Sequence, residues 1–131
     1  MKPKLRRVGA LLVLLAATSA FAQSTPPPTA EQMVAAQRSA MAKLPPMDGI
    51  WRGPGWMNEG QGRRQMTVTY RVGPFLDNTV KVIEIRGYLA DGSVGFHAFN
   101  VISFDSEEKK EYVINARAGG RSGAFSFKLA P

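Results

Sequence analysis

From Ile50 onward, apolar and polar side chains alternate with a period of two through most of the chain. The clearest run is Gln65 to Val72, where one set of alternate residues is apolar and the other is polar. The apolar set is Met66, Val68, Tyr70 and Val72, and the polar set is Thr67, Thr69 and Arg71. Because alternate side chains of a strand point to opposite faces, this pattern predicts strands with one apolar face.

Turn-forming residues divide this region into six predicted strands. They cover Ile50 to Met57, Gln65 to Val72, Thr79 to Leu89, Val94 to Phe104, Glu111 to Arg117 and Ala124 to Leu129. The first strand is expected to be broken by Gly53, Pro54 and Gly55, and the proline indicates an edge position, a bulge or a sharp bend. Asp91-Gly92 indicates a type I′ hairpin turn. Short connections of this kind predict an antiparallel meander, so residues 47–131 form one all-β domain.

Six strands are fewer than a closed up-and-down barrel normally uses, which is about eight. The apolar face of the meander must nevertheless be covered. Three arrangements remain open: a partial or half-open barrel, a sheet completed by dimerisation, or a domain that continues in further strands. We expect the last, with the chain ending early at Pro131.

One short helix is predicted before the β domain. Thr29 and Gln32 have the spacing of a capping box, and Pro45-Pro46 end the helix, which places it within residues 29–44. Residues 23–28 precede it as a Pro-rich tether. A weak apolar stripe comprises Met33, Gln37, Ala40, Met41 and Leu44. The stripe is compatible with a solvated helix that packs lightly on the domain or on nothing, and with a helix that binds a partner.

The first 22 residues are typical of a signal peptide. Four cations (Lys2, Lys4, Arg6 and Arg7) precede an apolar run from Val8 to Ala17, and Ala20-Phe21-Ala22 has the small-x-small pattern of a cleavage site. Cleavage between Ala22 and Gln23 predicts export to the periplasm or the extracellular space. The run is shorter than the roughly 20 residues that span a bilayer, and no cysteine follows it, so no stable membrane anchor is expected.

Composition argues against several classes of function. Removing the four signal-peptide cations from the formal charge of +7 leaves +3, which gives no support for a nucleic-acid partner. The chain has no cysteine and one histidine, so neither thiolate chemistry nor a His-based metal site is expected. No serine lies in a Gly-x-Ser-x-Gly motif. These features predict a non-enzymatic protein without a cofactor.

Six residues are the candidates for ligand binding: Trp51, Trp56, Tyr70, Glu84, Arg86 and His97. Glu84 and Arg86 interrupt the β-branched strand from Thr79 to Leu89. They form an exposed ion pair if the alternate face of that strand packs into the core, or they are the polar groups of a cavity if their own face lines one. Tyr70 is expected in the core. A lone histidine such as His97 is more typical of a core or surface position than of a ligand.

Gly49-Ile50-Trp51 resembles the Gly-x-Trp signature in the first strand of lipocalin-like (calycin) barrels. With Gly53 and Gly55 it is also similar to the opening of nitrobindin-type haem-binding barrels, although Met57 stands where a further glycine would fall. Two later motifs extend the likeness over about Met41 to Leu129: Gly73-Pro74-Phe75-Leu76-Asp77, and Tyr88-x-x-Asp91-Gly92-x-x-Gly95-Phe96. The wider run resembles an uncharacterised family of exported bacterial proteins with a lipocalin-like barrel.

This resemblance implies a barrel of eight or ten strands with a ligand cavity, in which Trp51 plugs the closed end. It does not imply haem, because the proximal histidine of nitrobindins lies in a C-terminal region that this sequence lacks. The expectation is an exported, lipocalin-like domain that binds a small apolar ligand. The alternative is an interaction module that forms a homodimer, or binds another protein, through an unclosed sheet edge.

Overall fold

The computed structural model describes residues 25–131, which form an all-β domain with one short helix. The elements are helix α1 (Ala30–Ala42) and strands β1 (Gly49–Glu59), β2 (Gly62–Phe75), β3 (Val80–Tyr88), β4 (Val94–Asp105), β5 (Glu111–Ala118) and β6 (Arg121–Phe127). The predicted signal peptide, with its cleavage site at Ala22 and Gln23, lies outside the described residues. No helix within the described part of the chain is long and apolar enough to cross a membrane.

The six strands form a single antiparallel sheet in the order β1-β2-β3-β4-β5-β6. This is the predicted meander, and its sheet is open because no pairing joins β1 to β6. Strand β1 is an edge strand, which is one of the three alternatives that Pro54 indicated. That strand is continuous from Gly49 to Glu59 and is not interrupted at Gly53-Pro54-Gly55. The fold is therefore all-β and resembles an open barrel.

Helix α1 begins with the predicted capping box. The Thr29 hydroxyl accepts a hydrogen bond from the Gln32 backbone N–H at 3.2 Å, and the Gln32 side chain accepts one from the Thr29 backbone N–H at 2.8 Å. The helix packs on one face of the sheet, where Ala40 and Met41 are buried together with Leu44 just beyond the helix. The helix is thus part of the domain core, which excludes the predicted alternative of a helix that packs on nothing.

Gln37 of the helix stripe binds backbone instead of apolar side chains. Its amide oxygen accepts a hydrogen bond from the Phe104 backbone N–H at 3.0 Å, and its amide nitrogen donates to the Phe104 carbonyl. Pairing of β3 with β4 ends at Lys81 and Ile102, so Phe104 lies beyond the last strand partner on that side. The glutamine satisfies two backbone groups that would otherwise lack protein partners.

The core lies between α1 and the strands β3 to β6. Ala40, Met41, Leu44, Ile102 and Tyr112 form its buried part. The Tyr112 ring lies edge-on to Phe104 at 5.1 Å and stacks on Phe127 at 5.0 Å, and its hydroxyl donates to the Ala40 carbonyl at 2.8 Å. Tyr112 therefore joins the helix to the strands by apolar packing and by a buried hydrogen bond.

Three of the connections differ from the sequence prediction. The connections predicted between Met57 and Gln65 and between Arg117 and Ala124 are two-residue turns, Gly60-Gln61 and Gly119-Gly120, so the adjoining strands are longer than predicted. Asp91-Gly92 does form a hairpin, but Gly92 alone has a positive φ (82°), whereas a type I′ turn requires two such residues. The Gly92 N–H donates to the Leu89 carbonyl at 2.9 Å, as in a three-residue hairpin loop.

The β2–β3 turn is left-handed at three consecutive residues that are not glycine. Leu76, Asp77 and Asn78 have φ values of 48°, 53° and 65°. Such residues usually occur singly, because the left-handed region costs about 1 kcal/mol or more for each. The turn is held by the Thr79 N–H, which donates to the Leu76 carbonyl at 3.1 Å, and by the Arg38 side chain of α1, which donates to the Asp77 carbonyl at 2.8 Å.

Candidate functional site

Cross-strand register assigns every strand residue to one of two faces, because directly paired residues share a face. Ile83 packs on the helix cluster and pairs with Val72 and Asn100, so these residues belong to the face covered in part by α1, which we call the helix face. The opposite face, which we call the open face, has no element packed on it among residues 25–131. Glu84 belongs to the open face and pairs with Arg71 and Phe99.

A cluster of charged side chains is centred on Glu84. Arg86 donates two hydrogen bonds to the same carboxylate oxygen, Oε1, from Nε at 2.8 Å and from Nη2 at 2.6 Å. His97 Nε2 lies 3.2 Å from this oxygen, and Arg71 Nη1 lies 3.9 Å from the other, Oε2. The Glu84 side chain is only 22% exposed, against 40–60% for its three neighbours. Three basic residues therefore surround one partly buried carboxylate.

Hydrogen bonding within this cluster changes the ionisation of two of its members. The bond from Arg86 is the largest cause that lowers the pKa of Glu84, and the His97 bond and the charge of Arg71 act in the same direction. The same contact with Glu84 raises the pKa of Arg86. Both groups are consequently charged at neutral pH. Glu84 is a fixed anion here and is not suited to act as a general acid.

Further arginines extend the positive charge across the open face. Thr69 pairs with Arg52 on one side and with Arg86 on the other, so these two arginines are two strands apart. In the same way, Phe99 pairs with both Glu84 and Arg117. Strands lie about 4.8 Å apart, so each separation is about 10 Å. We call Arg52, Arg71, Arg86 and Arg117 the arginine band. With Glu84 as the acid among them, the band carries a net charge of +3 when His97 is neutral.

An apolar groove lies directly beside the arginine band. It has a volume of about 720 Å³, and Glu84, Arg71 and His97 line one side of it. The apolar side chains of the open face that line it are Ile50, Phe75, Val82 and Phe99. Three of these are strongly exposed for their type: Ile50 at 72%, Phe75 at 58% and Phe99 at 45%. Contiguous exposed apolar surface with a polar margin is typical of a binding site.

The left-handed turn lies next to this surface. Phe75 is the last residue of β2, directly before the turn, and Leu76 at the turn is 73% exposed. The strained turn therefore directly follows Phe75, which lines one end of the groove. Strain at a position that is not needed for burial is a feature that clusters at functional sites.

The six sequence candidates divide between the two faces. Glu84, Arg86 and His97 are brought together on the open face. Trp56 lies on that face too, but near the far end of β1, where Arg63 stacks over its ring at 4.3 Å from the centroid. Trp51 and Tyr70 pair with each other on the helix face. The candidates therefore do not form one site.

Two of the candidates are less buried than predicted. Tyr70 is 42% exposed and so is not a core residue, and Trp51 is 55% exposed and does not plug a barrel end. The physical reason is the same for both. The sheet remains open, α1 contacts chiefly β3 and β4, and no strand among residues 25–131 lies opposite β1 and β2. Trp51 is held instead by a hydrogen bond from its Nε1 to the Met47 carbonyl, at 2.9 Å.

Glu84 and Arg86 show features of both predicted arrangements, an ion pair opposite the core and polar groups that line a cavity. Ile83 packs toward the core, and Glu84 and Arg86 form the expected ion pair on the other face. Glu84 also lines a groove, as the cavity alternative expected. The sequence prediction missed Arg71, Phe99 and the other groove residues. Extending the period-two face assignment across each hairpin would have placed Arg71 and Phe99 beside Glu84.

A metal site is not formed by the usual ligands: within residues 25–131, no three His, Asp or Glu side chains cluster closely enough to hold an ion. The groove and the arginine band are features that a ligand could use. Comparison of the chain with protein-family models, with curated proteins and with solved structures finds no match.

Proposed function

We propose that this protein is an exported, non-enzymatic binding domain of lipocalin-like type that holds a small apolar ligand in the groove of the open face. The observation that carries the proposal is the exposed apolar lining beside an ordered charged cluster. A volume of about 720 Å³ lies within the range of small-molecule sites, roughly 300–1,000 Å³. The signal-peptide pattern of residues 1–22 supports a role outside the cytoplasm.

The groove differs from the expected barrel cavity in its position. The resemblance to calycin barrels implies a ligand inside a closed barrel, whereas the groove lies on one face of an open sheet. The open face instead presents the apolar residues next to hydrogen-bonding groups that could orient a ligand. Binding to an open groove buries less of a ligand than an enclosed cavity would, so modest affinity is expected.

The test is binding of a neutral fluorescent probe, N-phenyl-1-naphthylamine, to the chain from Gln23 onward. Phe99→Ser removes apolar contact area from the groove, and we expect it to weaken probe binding about tenfold. The matched control is Phe125→Ser, because Phe125 is 63% exposed and lies on the helix face of the edge strand β6. The control should stay within about twofold of the parent. Equal effects of the two substitutions, or no binding by the parent, would refute the groove as the binding site.

The open edges of the sheet favour a second candidate, an interaction module. Strands β1 and β6 each pair on one side only, which leaves backbone N–H and C=O groups able to extend the sheet with another chain. A homodimer or a mixed complex would arise in this way. The native mass of the purified chain distinguishes the candidates, since a stable dimer supports edge pairing and a probe-binding monomer supports the groove.

A further inference from the structure

We propose that the ligand of the groove is an amphipathic carboxylate, whose anionic head binds Arg71 and whose alkyl tail extends toward Phe75. This inference rests on the proposed function, because it assumes that the groove binds a small molecule. It adds the charge of the ligand, the position of the head and the length of the tail.

The charge of the ligand follows from the excess of positive over negative side chains around Glu84. One carboxylate faces three basic side chains within 4 Å, and Arg52 and Arg117 add positive charge at about 10 Å. A second anion placed here would be attracted by the excess positive charge. A cation would be repelled by the four arginines, and the Glu84 carboxylate already accepts hydrogen bonds from Arg86. The open face therefore complements a negatively charged group.

Arg71 is the group best placed to bind that anion. Arg86 and His97 are both directed at Glu84 Oε1, whereas Arg71 Nη1 approaches Oε2 only to 3.9 Å, which is too long for a hydrogen bond. No hydrogen bond from the Arg71 guanidinium to any residue in 25–131 is present. Its side chain is 60% exposed, and it lines the groove. A planar guanidinium with uncommitted N–H groups binds a carboxylate through two parallel hydrogen bonds.

Glu84 then acts as a positioning residue. It holds Arg86 in place by two hydrogen bonds and attracts Arg71 toward the same side of the groove. A head group bound to Arg71 would be near the positive charge of Arg86 without competing for the hydrogen bonds that Arg86 already makes. Arg71 thus remains available to bind the ligand, while Glu84 holds Arg86 in place.

The length of the tail follows from the position of the apolar residues. Phe75 is four residues beyond Arg71 on the same strand and face, which corresponds to about 13 Å at 3.3 Å per residue. Val82 lies between them on the neighbouring strand, opposite Gly73, whose missing side chain leaves the floor of the groove open. An extended alkyl chain advances about 1.3 Å per bond, so about ten carbons cover the distance.

The test compares decanoate with decanol and with decylammonium, which share the ten-carbon tail and differ in head charge. Each is titrated calorimetrically into the chain from Gln23 onward. We expect decanoate to bind about tenfold more tightly than decanol, and decylammonium to bind more weakly than either. The Arg71→Gln variant should reduce the preference for decanoate over decanol to below about threefold, while its affinity for decanol changes by less than about twofold.

The matched control is Arg64→Gln, because Arg64 is an exposed arginine of the same strand on the opposite face. It should retain the full preference for decanoate. The inference is overturned if decanol binds as tightly as decanoate, if decylammonium binds best, or if Arg71→Gln keeps the preference. If N-phenyl-1-naphthylamine binds but decanoate is not preferred over decanol, only the inference of an anionic head group is refuted. If neither the probe nor decanoate binds, the proposed function is refuted as well.

Discussion

The substitution Tyr112→Phe tests how the helix is held on the sheet. Tyr112 is 4% exposed, and its hydroxyl donates to the carbonyl of Ala40 in the last turn of α1. The phenylalanine ring can keep the packing on Phe104 and Phe127, so the change removes one hydrogen bond and little apolar contact. The Ala40 carbonyl retains a second donor, the Lys43 backbone N–H at 3.0 Å, and is not left unsatisfied.

The expected cost follows from this geometry. A net intramolecular hydrogen bond contributes about 1 kcal/mol, and the larger penalty for an unsatisfied carbonyl does not apply here. The free energy of unfolding should therefore fall by about 1 kcal/mol, which corresponds to a decrease in Tm of about 4–8 °C for a domain of this size. Tyr112→Ala, which also removes the ring, should cost about 3–5 kcal/mol.

The pH dependence provides an independent measurement on the same residue. Burial raises the pKa of Tyr112 above its ordinary value of 10.0. Between the unfolded and the folded pKa the folded protein binds the proton more strongly, so the free energy of unfolding decreases as pH rises above about 10. The Tyr112→Phe variant lacks this group, and its stability should decrease less steeply over that range.

The assay is urea unfolding followed by circular dichroism at pH 7 and at several values above pH 9. Tyr70→Phe is the control, because Tyr70 is 42% exposed and its hydroxyl makes no hydrogen bond within the described residues. It should change the stability at pH 7 by less than about 0.5 kcal/mol. A Tyr112→Phe variant as stable as the parent would show that the bond to Ala40 contributes nothing, and a loss above about 3 kcal/mol would show that the ring packing had also changed.

Two further substitutions test the packing of the sheet. Trp51→Ala should destabilise the domain by about 2 kcal/mol without unfolding it, because the indole is 55% exposed and buries only part of its area. If the variant were unfolded in the absence of urea, Trp51 would instead be a buried residue that plugs a barrel. Gly87→Ala should cost about 1–3 kcal/mol by overpacking, since a Cβ there would overlap the buried Met66 side chain and would lie 3.2 Å from Phe96 Cβ. Gly53→Ala is its control, with no atom within 4 Å, and urea unfolding should show that it is neutral or slightly stabilising.

The sequence determined those features that depend on neighbouring residues. The period of two and the turn residues predicted six antiparallel strands, and Pro54 limited the first strand to an edge position, a bulge or a sharp bend. The Thr29 and Gln32 pair predicted the start of the helix. Each of these follows from local backbone geometry and from hydrogen bonds between residues close in the chain, so each can be recognised without knowing the tertiary structure.

Only the tertiary structure decided which surfaces are covered. The weak stripe on α1 did not show that Ala40 and Met41 enter the core, because their partners Ile102 and Tyr112 are some 60–70 residues away. The sheet stays open, so Trp51 and Tyr70 are exposed although their sequence context suggested burial. Arg71, Glu84 and Phe99 become neighbours only through the register of two hairpins. Alternation within a strand assigns a residue to a face, but strand pairing determines what lies beside it and helix packing determines which face is left open.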